Sequence, residues 1–88
     1  MIRRRVVVHG RVQGVGFRLA LLERARAGGV GGWVRNRDGG TVEAVFEGDV
    51  GVVEALVEWC RSGPRGATVT NVDVRDEPPE GLHSFDVR

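Results

Sequence analysis

Residues Gly10 to Arg18 read G-R-V-Q-G-V-G-F-R and follow directly on the apolar run Val6-Val7-Val8. Three glycines fall within seven residues, and Arg18 stands just beyond the last of them. Glycine lets a backbone turn so that several N–H groups face one spot. A concave row of amides leading into a helix N-terminus is a ready anion seat. The guanidinium of Arg18 adds a permanent charged fork that suits phosphoryl oxygens. The stretch therefore reads as strand, phosphate-type seat and helix start.

Two nucleotide fingerprints are excluded. A P-loop needs Lys and Ser/Thr after its second conserved glycine, and the chain has no lysine. The dinucleotide pattern G-x-G-x-x-G fits Gly14 and Gly16, but Leu19 occupies the third glycine position. Glycines alone would also fit a plain connecting turn. Arg18, together with a second cluster further on, favours the ligand seat.

Working outward, Ile2 to His9 reads as a strand with Val6 and Val8 facing the core. Phe17 to Ala27 reads as a helix, with Phe17, Leu21 and Ala25 on one face and Gly28-Gly29 as its stop. Val30 to Arg37 reads as a second strand, Asp38-Gly39-Gly40 as a hairpin turn, and Thr41 to Glu47 as a third strand. Asp49 is the expected N-cap of a second helix running to about Ser62. Its inner face carries Val53, Leu56 and Cys60, and Gly63-Pro64 ends it. Ala67 to Arg75 reads as a fourth strand. Pro78, Pro79 and Gly81 interrupt before a terminal strand or edge over Leu82 to Arg88. The order β-α-β-β-α-β predicts an α+β, ferredoxin-like split βαβ sandwich, an antiparallel sheet with two helices on one face.

The second cluster, Gly32 to Val42, reads G-W-V-R-N-R-D-G-G-T-V. Asn36 closes the second strand, where its amide could hold a water in position for attack. Asparagine also commonly starts turns, and spacing alone favours that plainer role.

Taken together, G-x-V-Q-G-V-G-F-R followed by G-W-V-x-N-x-x-x-G-x-V resembles the acylphosphatase family. The likeness extends through Phe46-Glu47-Gly48, Trp59-Cys60 and Gly63-Pro64 to Phe85, so it covers nearly the whole chain. It implies a ferredoxin-like sandwich that hydrolyses the carboxyl–phosphate bond of acyl phosphates. It also implies that Arg18 and Asn36 are the catalytic pair. The implied phosphate cradle is the backbone of Arg11, Val12, Gln13, Gly14, Val15, Gly16 and Phe17. A substrate phosphate oxygen would take the water's proton, so no protein base is required. Arg37 stands where some relatives carry a hydroxyl, and Gly40 where many carry a side chain.

The rest of the chain agrees with this expectation. No Ser-His-Asp or Cys-His constellation and no metal-ligand spacing is apparent, so neither a metal nor a cofactor is expected. His9 and His83 read as solvent-facing, Cys60 as packed, Trp33 and Trp59 as packing residues, and Arg3-Arg4-Arg5 as a solvated edge. The expected partner is a small-molecule acyl phosphate, with inorganic phosphate or sulfate able to occupy the same seat.

A chain of 88 residues forms one domain, spanning 1–88. The single cysteine fits a reducing compartment, no apolar run approaches a membrane span, and the N-terminus is too short in apolar residues for a secretory signal. These features predict a cytoplasmic monomer that binds no membrane. Residues 1–37 hold nine arginines and one acid, against four arginines and eleven acids in residues 38–88. This asymmetry favours an anionic ligand unless the folded strands interleave. A net charge of +1 and the lack of an aromatic-rich strand signature argue against RNA binding on a sheet of this topology. A non-catalytic, phosphate-binding module of the same fold is the main alternative. Release of phosphate from an acyl phosphate separates the two.

Overall fold

The valine-rich opening segment forms an interior strand of the sheet, paired on both sides. The computed structural model describes residues 1–88. Its elements are β1 (Ile2–Arg11), α1 (Phe17–Ala27), β2 (Gly31–Asn36), β3 (Val42–Gly48), α2 (Val50–Cys60), β4 (Thr68–Glu77) and β5 (Phe85–Val87). The order is the expected one, with shifts at element ends. β1 runs two residues past His9 because its pairing with β4 continues through a bulge between His9 and Gly10. α2 stops at Cys60, short of Ser62. The N–H groups of Arg61 and Ser62 bond three residues back instead of four, to the carbonyls of Glu58 and Trp59. At its start Asp49 accepts from the N–H groups of Gly51 at 3.1 Å and Val52 at 3.3 Å, as an N-cap should.

The sheet order is β4-β1-β3-β2-β5. The first four strands are antiparallel neighbours, whereas β5 lies parallel to β2. The sheet is thus mixed, not wholly antiparallel. Chain direction explains this. β4 ends beside Arg3, at the end of the sheet where β1 begins. The following segment crosses that end to the far edge, and the chain then turns back alongside β2.

One face of the sheet makes the core. Val6, Val8, Val34, Val42, Ala44, Phe46 and Val72 meet Phe17, Leu21 and Ala25 of α1 and Val53, Leu56, Val57 and Cys60 of α2. Cys60 is fully buried, and burial pushes its thiol up to about 12. A thiol in that state is a small apolar filler, not a nucleophile.

The opposite face corrects two expectations. Arg3 and Arg5 are not a solvated edge. Arg3 is buried and pairs with Glu47 at 2.6 Å and Glu77 at 2.9 Å, while Arg5 pairs with Glu43 at 2.6 Å and Glu77 at 2.8 Å. Arg4, on the helix side, pairs with Asp76. Part of the charge asymmetry between the two halves of the chain is therefore spent in ion pairs, since Arg3, Arg4, Arg5 and Arg35 all pair with acids of residues 38–88. Glu47 also accepts the N–H groups of Glu80, Gly81 and Leu82, fastening the crossing segment to β3. Burial raises the Glu47 pKa, but Arg3 and these three amides outweigh it and hold the carboxyl below its usual range.

Glu77 is held down to about 2 by hydrogen bonds from Arg5 and then Arg3. A carboxylate whose folded pKa is depressed adds stability above its unfolded pKa and loses it as pH falls through the folded value. Glu77 therefore contributes fully above its ordinary value of 4.5 and loses that contribution between 4.5 and about 2. Thermal unfolding followed from pH 7 downward should show Tm falling across this window. Glu77→Gln should flatten that fall, and an unchanged slope in the variant would remove Glu77 from the account.

Candidate active site

The helix α1 begins with no side chain over its first amides. Its N-cap is Gly16, at φ 80° and ψ 18°, and its first turn holds no acidic residue. Orphan N–H groups and the positive end of the helix dipole are thus left for a ligand. Gly14 has φ 75° and Gly16 φ 80°, while no other residue type takes a positive φ. The sign of φ therefore alternates along Gln13-Gly14-Val15-Gly16, the arrangement that turns successive amides into one concavity. A Cβ at Gly14 or Gly16 would meet nothing within 4 Å. Backbone conformation, not crowding, is what demands glycine there. None of the turn and loop backbone hydrogen bonds is donated by residues 12 to 19.

Buried side chains anchor both ends of the loop. Val12 and Phe17 belong to the core, and Phe17 meets the Trp59 ring edge-on at 5.3 Å. The middle is tied by Gln13. Its side-chain amide donates to the carbonyls of Arg37 at 2.8 Å and Thr41 at 2.9 Å. Those carbonyls flank the turn after Asn36, which the Arg37 N–H closes by donating to Thr41 at 2.9 Å. Asn36 itself is the last residue of β2, opposite Val42. Gln13 thus fixes the spacing between the amide loop and the Asn36 turn.

These elements enclose a cavity of about 280 Å³ lined by Val12, Gly14, Gly16, Phe17, Arg18, Leu19, Asn36 and Val87. Arg18 stands exposed in the first turn of α1 and enters no ion pair, unlike the arginines of β1. Its charge is available to a ligand.

Of the residues singled out in the sequence, the cavity unites Arg18, Asn36, Val12, Gly14, Gly16 and Phe17. Three others lie outside its lining. Arg11 closes β1 opposite Thr68, Val15 packs against the core, and Gln13 faces the turn. The sequence reading missed the Gln13 side chain's role and the presence of Leu19 and Val87. Gln13 could have been suspected only as a polar side chain among loop glycines, and where its amide points is a tertiary fact. Val87 reaches the cavity only because β5 adds beside β2.

A larger hollow of about 770 Å³ lies elsewhere, with Arg5, His9, Arg37, Glu43, Asp73 and Arg75 among its lining. There Glu43 already pairs with Arg5, and Asp73 sits 2.9 Å from the His9 ring. It offers no amide nest, so size alone does not mark the site. No group of three His, Cys, Asp or Glu side chains is placed to hold a metal ion. No helix is long and apolar enough to cross a membrane.

Comparison with known proteins agrees with this geometry. The family model described as Acylphosphatase matches residues 4–87. The chain is 56% identical over 86 residues to an acylphosphatase of Haloarcula marismortui, covering 98% of this chain and 94% of that protein. It is 55% identical over 86 residues to an acylphosphatase of Thermococcus kodakarensis, with the same coverage. Its structure superposes on the crystal structure of acylphosphatase from Bacillus subtilis with a TM-score of 0.95 at 38% identity, covering 100% of this chain and 99% of that one.

Proposed function

Because the chain belongs to the acylphosphatase family, we propose that Arg18, Asn36 and the amides of the Val12–Phe17 loop are the machinery of its reaction. That reaction is hydrolysis of the carboxyl–phosphate bond of an acyl phosphate. The observation that carries the assignment of residues is their convergence on one cavity, from the loop, the first turn of α1 and the end of β2.

The chemistry asks little of the protein beyond placement and charge. The leaving group is a carboxylate, whose conjugate acid has a pKa of about 4, so it departs without a strong acid to protonate it. The phosphoryl oxygens sit in the amide nest and against Arg18. Asn36 holds a water on the side opposite the leaving oxygen. The water oxygen bonds to phosphorus as the bond from phosphorus to the acyl oxygen breaks, and that oxygen keeps the electron pair. The water's proton passes to a phosphoryl oxygen. An acyl phosphate dianion and water thus give a carboxylate and dihydrogen phosphate, with charge balanced. Preset dipoles act most strongly where charge develops in the transition state.

In this reading Gln13 is a positioning residue. It acts through the distance it sets between the loop and Asn36. Inorganic phosphate or sulfate fits the same nest as product or mimic. Protein groups supply the whole electrostatic complement, so the reaction runs without a metal. The free, buried thiol of the single cysteine suits a protein working in the reducing cytoplasm, which we read as a monomer.

The test is direct. Acetyl phosphate incubated with the protein in excess chelator should release inorganic phosphate at the same rate as without chelator. Activity lost in chelator and restored by a divalent ion would overturn the metal-free part. Absence of release under both conditions would leave only a phosphate-binding module.

A further inference from the structure

Two large apolar side chains stand open at the phosphate cavity, where a hydrated anion has no use for them. Leu19 is 59% exposed and Val87 43% exposed, and both line the cavity with Gly14, Gly16, Arg18 and Asn36. Neither belongs to the buried core cluster. The cavity's other apolar residues, Val12 and Phe17, are buried and serve the core. Leu19 and Val87 come from separate elements, the first turn of α1 and β5. Val87 is held in place by pairing with Val34, two residues before Asn36, and by the Arg88 N–H donating to the Val34 carbonyl at 2.8 Å. The cavity is also larger than its polar half requires. A water takes about 30 Å³ of liquid, so a tetrahedral phosphoryl group leaves much of the 280 Å³ for another part of the ligand.

We propose that Leu19 and Val87 form the seat of the acyl half of the substrate, selecting acyl phosphates whose acyl group is apolar and bulky, aryl or branched alkyl. The inference rests on the phosphate-cavity reading above. Its physical basis is the removal of two exposed apolar surfaces, and of the acyl group's own surface, from water on binding. The charged end is held identically in every substrate, so discrimination between substrates falls to this apolar pair.

Benzoyl phosphate and acetyl phosphate are the probes, and the readout is the ratio of their kcat/KM values. Intrinsic reactivity differs between the two, but that difference is common to all variants and cancels. In Leu19→Ser and Val87→Ser the ratio should fall, by roughly 10-fold when both are changed, since an apolar contact of this size discriminates by about that much. Leu19→Met, similar in volume and apolar, should keep the parent's ratio. Inhibition by inorganic phosphate should be unaltered in all variants. Both side chains are exposed, so the variants should fold, which a melting curve checks. A ratio unmoved by the double serine change would overturn the proposal. So would an equal loss on both substrates with weakened phosphate inhibition, because it would place these residues in the phosphate seat itself. If the parent chain hydrolysed neither probe, the catalytic reading would fail first and the acyl seat with it.

Discussion

Arg18→Ala is expected to lower kcat/KM for an acyl phosphate by about 10³-fold or more, and to weaken inhibition by inorganic phosphate. The size follows from what the side chain supplies. Loss of one well-placed neutral donor to a developing oxyanion costs about 10²–10³ in rate. A charged donor is roughly twice as strong, and the guanidinium fork presents two N–H groups at once. The cavity lining offers no substitute, since Arg18 is its one charged side chain. Arg18→Lys should recover only a small part, because a point charge on a flexible stem does not reproduce the fork. Stability should change little, since the side chain is exposed and makes no ion pair in the fold. Steady-state phosphate release beside a melting curve separates the two effects. A folded alanine variant keeping a tenth or more of the parent's activity would remove Arg18 from the reaction.

The contrast between Arg18 and Arg3 shows how far a sequence carries. Both are arginines in the basic half of the chain. The place of Arg18 in the first turn of α1 is legible because its surroundings are local: glycines before it and a helix start beneath it. Arg3 was misread as solvated because its partners, Glu47 and Glu77, lie on other strands. Periodicity tells which side of a strand a residue faces, and it did so for Val6 and Val8. It does not tell what stands opposite.

The same limit explains the rest of the site. Asn36 was legible by its motif, and Gly14 and Gly16 by the conformation they permit. Gln13 was assigned only for its main chain, yet its side chain spans from the loop to the carbonyls of Arg37 and Thr41. The β5 strand was legible as an edge, but its direction depends on how residues 78–84 cross the sheet. That crossing is fastened by the Glu47 carboxylate, which no local pattern announces. Val87 comes to the cavity only by this route. The proposed phosphate-binding loop is thus contiguous in sequence, while Asn36 and Val87 are brought to it by the topology of the sheet.

Asn36→Ala carries the second large effect, and its form matters more than its size. If Asn36 orients the attacking water, the variant should lose about 10²-fold in kcat, the order of penalty for misplacing a reacting group by an ångström. KM and the inhibition constant for inorganic phosphate should stay near the parent's values, because the amide nest and Arg18 are intact. That split distinguishes Asn36 from Arg18, whose loss touches binding and turnover together. Asn36→Asp is the sharper control. It keeps the shape but places a carboxylate beside a phosphoryl dianion, so phosphate inhibition should weaken as well as kcat. Gln13→Leu should lower kcat in the same sense as Asn36→Ala, to a smaller degree, by freeing the turn that carries Asn36 from the loop. Full turnover in Asn36→Ala would mean that the water is held by something else. A loss appearing wholly in KM would mean that Asn36 grips the substrate instead of aiming its attacker.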